Sequence, residues 1–379
     1  MTGHLSAGRC VGRIDPDGPF LFTVVVKETF LLKNGNVAPS EEPEPLLEDA
    51  QTRASTDGRV DLPVRLPDLV PDKLAPDLIV LATARRSTPA QEAEVALLVG
   101  EREVHRLRLT GPRIATRVGE RWELSPAEPW EQMPLSWDRA YGGTEQHTPE
   151  PDLQDVPELF RLPYPRNDLG IGFVTGAAPA PPDTMPMPCV ELPDDRLTAT
   201  RLLCPTPGAW HRQPRPGGWG WVEPHWFPRS VHWPMGAPWA DPDAGPVPEE
   251  ELGILPRGIT ARAHASPFEN DVLRPEFFQE AVPALRLPGL DHAASIGFDG
   301  LEPARTAIRL PAGRPVVQLA TPRRPTLPEI KLLTLVLDLD GGVLLRLWAA
   351  PLRLDGPELS GVPEDALETL EVELGYRRG

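Results

Sequence analysis

Cysteine is scarce in this sequence, and long apolar runs are missing. Its cysteines are Cys10, Cys189 and Cys204, an odd and widely spaced set that argues against a disulfide framework and, without a CxxC pair, against a structural zinc site. The longest apolar runs, such as 78–81 and 332–337, are far shorter than the roughly 20 residues that span a bilayer. The N-terminus lacks a basic stretch followed by an apolar core, so we expect no secretory signal and a cytoplasmic protein.

Basic charge is also in short supply. The chain has 38 Lys and Arg against 55 Asp and Glu, which gives a formal net charge of −17. Because nucleic acids and anionic membranes are bound by basic surfaces, this balance argues against both kinds of partner. It favours solubility and would suit a basic protein partner.

Proline, by contrast, is abundant. The chain contains 50 prolines in 379 residues, against about 5% in an average protein. Proline fixes φ and lacks a backbone donor, so long helices and central strands cannot run through these segments. We therefore predict a mainly β fold, an antiparallel β-sandwich or barrel-like set of sheets with long Pro/Trp-rich loops and a few short helices.

The hydrophobic pattern divides the chain into three regions. Residues 1–125 form an N-terminal β region, 126–283 a Trp/Pro/Gly-rich loop region, and 284–379 a C-terminal β region that ends in a short helix at 363–374. Asp340-Gly341-Gly342 is a strong hairpin signal between two apolar runs. Period-2 alternation and β-branched runs predict strands at 20–33, 76–83, 94–99, 103–109, within 114–124, and at 294–298, 305–310, 315–320, 332–339 and 343–354.

The middle region is rich in tryptophan. Trp and Arg dominate binding hot spots, so the rings could form an interaction surface, but we favour rings that staple a proline-rich segment onto the β core. His211, His225 and His232 lie among them at spacings that do not suit metal ligation, and we predict no metal site. Short helical turns are predicted at 248–254 and 274–282. The tryptophans are Trp210, Trp219, Trp221, Trp226, Trp233 and Trp239.

Catalytic motifs are missing from the sequence. It contains no GxSxG nucleophile elbow and no Walker loop. Gly170-Ile171-Gly172 does not open the strand–helix unit of a dinucleotide site. We therefore predict no catalytic residue, no cofactor and no enzymatic activity.

Five strings carry the most specific signal, and in their order they resemble a bacterial family known as a domain of unknown function. That family is encoded beside genes for the type VI secretion spike (VgrG) and its PAAR tip. The resemblance covers about 20–350, with departures at Asp168, where the family has proline, at 219–221, where tryptophan stands at aromatic positions, and at 269–271. The strings are WDRAYGG at 137–143, YPRNDLGIGF at 164–173, PCVELP at 188–193, GGWG to WFPR at 217–229, and ASPFEND at 265–271.

The residues of these strings are the candidate binding or scaffold residues. Glycine permits tight turns, Trp and Tyr anchor loops, and the arginines can bridge carboxylates or carbonyls. None of these types is a nucleophile or a metal ligand. The candidates are Trp137, Arg139, Tyr141, Gly142, Gly143, Asn167, Gly170, Gly172, Phe173, Trp219, Trp221, Trp226 and Arg229.

The resemblance implies an accessory adaptor or chaperone that loads an effector on the type VI secretion spike and remains in the producing cell. Its partners would be an effector, a VgrG protein or a PAAR-type protein, docked at an edge strand or groove by strand addition. Two other hypotheses remain open. One is a hydrolase-like enzyme or secreted effector, with His225 or Asp138 in a Trp-lined pocket. The other is a structural component of a contractile particle.

Overall fold

A computed structural model describes most of the chain. The predicted turn at 248–254, the string at 265–271, Trp233 and Trp239 lie outside the described residues. The described ranges are 4–13, 20–33, 35–55, 57–146, 161–175, 182–232, 275–302, 307–320, 325–326, 329–354 and 371–377.

The predicted mainly β fold is confirmed in this part of the chain, which forms several mostly antiparallel sheets and no closed barrel. The strands are β1 Leu5–Arg13, β2 Phe20–Lys33, β3 Asn36–Pro39, β4 Gln51–Ala54, β5 Asp61–Arg65, β6 Asp77–Leu81, β7 Thr83–Ala90, β8 Glu92–Val99, β9 Arg102–Thr110, β10 Ile114–Val118, β11 Arg121–Leu124, β12 Trp130–Pro134, β13 Tyr141–Gly142, β14 Thr144–Gln146, β15 Arg161–Pro163, β16 Ile171–Gly172, β17 Thr184–Pro186, β18 Val190–Glu191, β19 Ser295–Asp299, β20 Ile308–Arg309, β21 Arg314–Ala320, β22 Pro325–Thr326, β23 Lys331–Asp338, β24 Val343–Leu354 and β25 Glu371–Arg377.

Helical structure in the described residues is limited to single 3₁₀ turns. The predicted helical turns at 274–282 are replaced by a tight turn at 275–278 and a separate 3₁₀ turn that begins at Pro283. No helix of the described part is long and apolar enough to cross a membrane. The 3₁₀ turns are Trp137–Arg139, Ala199–Arg201, Pro207–Arg212, Arg229–His232 and Pro283–Leu285.

The largest sheet joins strands from the two ends of the sequence. Its order is β1-β2-β24-β23-β6, with β3 also paired to β2. β2 and β24 pair antiparallel from Phe20 opposite Leu354 to Leu31 opposite Val343. β6 adds to β23 in parallel. The predicted N-terminal and C-terminal β regions therefore contribute to one sheet.

A second sheet, of order β18-β9-β8-β19-β20, shares the main core with the first. The alternation predicted for β9 is confirmed, since Leu107 and Leu109 are fully buried while Arg106 is half-exposed. Val80 and Leu335 enter the same core from the first sheet. Smaller sheets of two or three strands surround this centre, namely β11-β10-β17, β12-β7, β13-β16, β14-β15, β22-β21-β25 and β4-β5.

The predicted C-terminal helix is wrong where the structure describes it. Residues 363–370 lie outside the described part, but 371–374 begin strand β25. β25 pairs antiparallel with β21 through all seven of its residues. Val372, Leu374 and Tyr376 alternate with charged residues and glycine, and this period-2 pattern suits a strand edge better than a helix face.

Two adjacent charges on β2, Lys27 and Glu28, are buried on opposite faces of the large sheet. Lys27 Nζ lies 2.8 Å from Asp68 Oδ2 on one face. On the other, Glu28 Oε2 lies 2.8 Å from Arg346 Nε and accepts a hydrogen bond from Trp348 Nε1 at 2.5 Å. Because a one-residue slip of β2 would exchange the faces, these partners fix its register.

We predict that Arg346→Leu lowers the free energy of unfolding by about 3–5 kcal/mol, because it removes the main cationic partner of the buried Glu28 carboxylate. Urea denaturation measures this loss. Arg309→Leu on the exposed side of β20 is the control and changes stability by less than about 1 kcal/mol. Equal losses in the two variants would contradict a role for the buried pair.

Candidate functional site

The first motif string forms a tight turn that is locked to the tryptophan-rich segment. Trp137 opens the 3₁₀ turn, and its Nε1 donates a hydrogen bond to the carbonyl oxygen of Trp221 at 2.7 Å. Its ring packs edge-on against Trp226, with centroids 5.3 Å apart. A buried indole that is both packed and hydrogen-bonded holds its backbone firmly.

The chain then enters β13, which pairs in parallel with β16 of the second motif string. Gly142 has φ +148° and Gly143 has φ +111°, a region that residues with a Cβ rarely adopt. A Cβ added at Gly142 would lie 2.0 Å from the carbonyl oxygen of Asn167. Glycine is therefore required here both for backbone conformation and for close approach.

Asn167 joins the two strings at a fully buried position. Its Nδ2 donates hydrogen bonds to the carbonyl oxygens of Trp137 at 2.9 Å and Tyr141 at 3.1 Å, and its Oδ1 accepts one from the amide of Leu169 at 3.3 Å. Its carbonyl oxygen accepts another from the amide of Gly143 at 2.8 Å. These bonds fix both sides of the β13–β16 pair relative to each other.

Aromatic rings support this pair from behind. Tyr141, Tyr164 and Phe173 pack with Tyr164 in the middle, 5.0 Å from each neighbour between centroids. Burial raises the pKa of Tyr164 to about 12, so its phenol stays protonated and donates a hydrogen bond to the carbonyl oxygen of Pro214 at 2.8 Å. Tyr141 donates in the same way to Gln213 Oε1 at 3.2 Å.

The other predicted tryptophans are buried and bind their segment to surrounding elements. Trp219 Nε1 donates to His105 Nδ1 on β9 at 3.1 Å, and Trp221 Nε1 donates to the carbonyl oxygen of Val64 on β5 at 3.0 Å. Trp226 Nε1 donates to Asp168 Oδ1 at 2.9 Å. These hydrogen bonds anchor the tryptophan-rich segment to the surrounding elements, and the rings lie buried away from the protein surface.

Arg229 is also buried and acts as a bridge. Its Nε donates to the carbonyl oxygen of Phe277 at 2.9 Å, and its Nη1 donates to that of Val222 at 2.5 Å. The guanidinium lies 3.9 Å from Glu280, whose carboxylate is also bound by Lys73 Nζ at 2.6 Å. Burial raises the pKa of Glu280 against the influence of these cations. Arg229 thus connects the middle region to residues 277–280.

A cleft of about 710 Å³ opens beside the β13–β16 pair. The predicted residues that line it are Gly142, Gly143, Gly170, Gly172 and Phe173. The other predicted residues discussed above do not line the cleft. They are the tryptophans, Tyr141, Asn167 and Arg229. The motif therefore contributes backbone and one aromatic ring to the cleft, and its larger side chains contribute rigidity.

Strand β17, which the motif comparison did not single out, forms the opposite side of the cleft. It pairs with β10, with Arg117 N bonded to Asp183 O at 2.8 Å and Met187 N bonded to Arg113 O at 3.0 Å. Antiparallel alternation therefore turns the amide and carbonyl of Thr184 away from β10, to the outer edge of a strand whose three residues line the cleft. No backbone hydrogen bond joins β17 to β16 among the described residues.

Arg59, just before β5, and Asp61, its first residue, also line the cleft and were also missed. No periodic or motif signal marks them, because they reach the cleft through the tertiary packing of the β4–β5 turn. Asp168 lines the cleft as well. Its Oδ2 lies 3.3 Å from Nε2 of the buried His225.

The groups proposed for an enzymatic pocket are placed apart from the cleft surface. Neither His225 nor Asp138 is among the residues that line it. Asp138 is buried and accepts a hydrogen bond from Ser136 Oγ at 2.5 Å. Among the described residues, no group of three or more His, Cys, Asp or Glu side chains is arranged to hold a metal ion.

The three cysteines are buried, and no disulfide joins any two of them. Burial raises the pKa of Cys10 to about 12 and also raises that of Cys189. Because the thiolate is the reactive form, these environments disfavour nucleophilic chemistry at both positions.

We predict that Gly142→Ala lowers the free energy of unfolding by about 1–3 kcal/mol or more, because the positive φ and the Asn167 carbonyl both oppose a Cβ. Urea denaturation followed by tryptophan fluorescence measures the change. Gly208→Ala, at a site with open space around the added methyl, is the matched control. An unchanged urea midpoint for Gly142→Ala would contradict this prediction, because the turn would then accommodate the methyl group without loss of stability.

The His105–Trp219 contact predicts a pH dependence. Burial lowers the pKa of His105 to about 4, below its ordinary value of about 6.5. The unfolded chain therefore binds the proton more readily, and stability falls as pH drops from about 6.5 to about 4, by roughly 3 kcal/mol in total.

Unfolding free energies of the wild type and His105→Gln, measured across this pH window, test the assignment. Glutamine keeps an acceptor for Trp219 and does not titrate. The wild type loses more stability than the variant on acidification, and parallel curves for the two proteins would contradict the assignment.

Comparison with known proteins gives one match. A family model described as an uncharacterized protein conserved in bacteria, DUF2169, matches residues 17–348. No curated protein and no solved structure gives a significant match. The predicted membership of a bacterial family of unknown function is confirmed, and the link of that family to type VI secretion remains a prediction.

Proposed function

The chain belongs to this DUF2169 family of uncharacterized bacterial proteins, and from that premise we propose that it is a protein-binding module that captures an extended segment of a partner in the glycine-walled cleft. The observation that carries this proposal is the position of Thr184. Its amide and carbonyl point away from β10, and the residue lines a cleft whose other wall is held by Asn167. A partner strand placed there would complete the hydrogen bonds of β17.

The composition of the cleft walls supports binding through the partner's main chain. Gly142, Gly143, Gly170 and Gly172 present backbone without side chains that would hold an extended segment at a distance. Pro186 lacks an amide hydrogen, so β17 offers only a short free edge. Such an edge limits uncontrolled pairing with other chains.

We further propose that the partner is an effector, a VgrG protein or a PAAR-type protein, and that the chain serves as an accessory adaptor or chaperone in effector loading. The support for this step is the ordered set of motif strings between 137 and 271 and their resemblance to the family encoded beside spike genes. The strings at 137–143 and 164–173 supply one wall of the cleft, and Trp221 and Trp226 of a third string contact Trp137 behind it. A rigid docking platform would suit an adaptor that returns unchanged after each loading step.

The test is a matched pair of substitutions at Thr184 combined with co-purification of effector, VgrG and PAAR proteins encoded beside this gene. Thr184→Pro removes the amide hydrogen at this outer edge of β17, and Thr184→Val keeps it. Because this amide does not bond to β10, both variants retain the β10–β17 pairing, which thermal melting verifies.

We expect the wild type and Thr184→Val to retain a partner and Thr184→Pro to lose it. Retention by Thr184→Pro would contradict strand addition at β17. Failure of the wild type to bind any neighbouring partner would contradict the adaptor function.

A further inference from the structure

A cluster of arginine side chains lies beside residues 189–191. Arg113 Nη2 lies 2.9 Å from Glu191 Oε2, and Arg196 Nε lies 3.6 Å from the same oxygen. The carbonyl oxygen of Arg139 accepts a hydrogen bond from the amide of Cys189 at 2.8 Å, so the backbone of Arg139 lies next to that of Cys189. The charges of Arg139 and Arg113 both oppose the burial effect that raises the pKa of the Cys189 thiol. Arg113 and Arg196 therefore converge on Glu191, and Arg139 lies beside the same segment, residues 189–191.

These guanidinium groups have unused hydrogen-bonding capacity. The Nε atoms of Arg113, Arg139 and Arg196 are buried, and none has an acceptor within the described ranges. Arg139 is the clearest case, because its one ion pair with a described residue is a 3.6 Å contact to the adjacent Asp138. A buried N–H group without an acceptor costs about 1–3 kcal/mol, so its presence in a folded protein requires an explanation.

The local charge is positive in a strongly acidic chain. Three guanidinium groups face two buried carboxylates, those of Glu191 and Asp138. Both carboxylates are already engaged. Glu191 Oε1 accepts a hydrogen bond from the amide of Leu197 at 2.9 Å, and Asp138 Oδ1 accepts one from Ser136 Oγ. The three guanidinium groups therefore outnumber the two carboxylates that they contact by one, although the whole chain carries −17.

The cluster is both fixed and accessible. Arg113 is only 9% exposed and is held by Glu191 and by the carbonyl oxygen of Pro188 at 3.0 Å. The Nε atoms of Arg139 and Arg196 are buried, but their side chains are 28% and 30% exposed, so a ligand can reach the rest of each side chain from solvent. A positioned charge next to accessible donors is the arrangement that binds an anion with little reorganisation.

We propose that Arg113, Arg139 and Arg196 form an oxyanion-binding site. A guanidinium group matches the two oxygens of a carboxylate or phosphate group with parallel hydrogen bonds. The ligand is a carboxylate of an acidic peptide segment or a phosphate group, which share this chemistry. None of the three arginines lines the cleft, so the site is independent of strand addition there.

Calorimetric titration at constant ionic strength tests the site with two probes, inorganic phosphate and an acetylated diglutamate peptide. We expect the wild type to bind one of them and Arg139→Gln to bind it about tenfold more weakly or worse, as for the loss of one charge-assisted hydrogen bond. Arg139→Lys keeps the charge without the planar fork and should be intermediate. The probe that saturates at the lower concentration identifies the source of the oxyanion.

Arg121→Gln, on the exposed strand β11, is the control and should bind like the wild type. If Arg139→Gln fails to fold, Arg196→Gln replaces it with the same expectation, because that side chain reaches the surface. Absence of binding by both probes, or equal binding by wild type and the Arg139 or Arg196 variant, would overturn the proposal.

Discussion

The carboxamide of Asn167 is the interaction on which the candidate site depends. Its two donated hydrogen bonds hold the carbonyl oxygens of Trp137 and Tyr141, and its own carbonyl group receives the amide of Gly143. Two strings that are about 25 residues apart in sequence are thereby held as one parallel pair. A buried amide with satisfied partners is more restrictive than apolar packing, because each bond has a required direction. The glycine wall of the cleft follows from that restraint.

Tryptophan provides the second layer of rigidity. Because the chain has so much proline, few continuous strands are available to organise the middle region. Each indole instead contributes buried packing area and one directed hydrogen bond. Trp137, Trp219, Trp221 and Trp226 each donate to a different partner. The cleft therefore lies on a supported surface, although it is built largely from loops and two-residue strands. This arrangement suits binding that needs a fixed shape.

Local sequence patterns predicted individual strands well and their assembly poorly. The alternation in β9 and the glycines between β23 and β24 are local signals, and both elements form where they were predicted. The parallel addition of β6 to β23 and the approach of β17 to the motif pair depend on contacts between distant residues, which periodicity does not encode. The same limit explains why Thr184 was missed. The predicted C-terminal helix overlooks the period-2 alternation at 371–377, which forms strand β25.

The proposed function requires the cleft to accept a partner's main chain along β17. The most direct measurement is amide hydrogen exchange at Thr184 in the free protein and in complex with a co-purified partner. Protection of this amide on binding, with little change at the Asn167-bonded amide of Gly143, is the predicted result. An unchanged exchange rate at Thr184 in a stable complex would contradict the account, because the partner would then bind without pairing to β17.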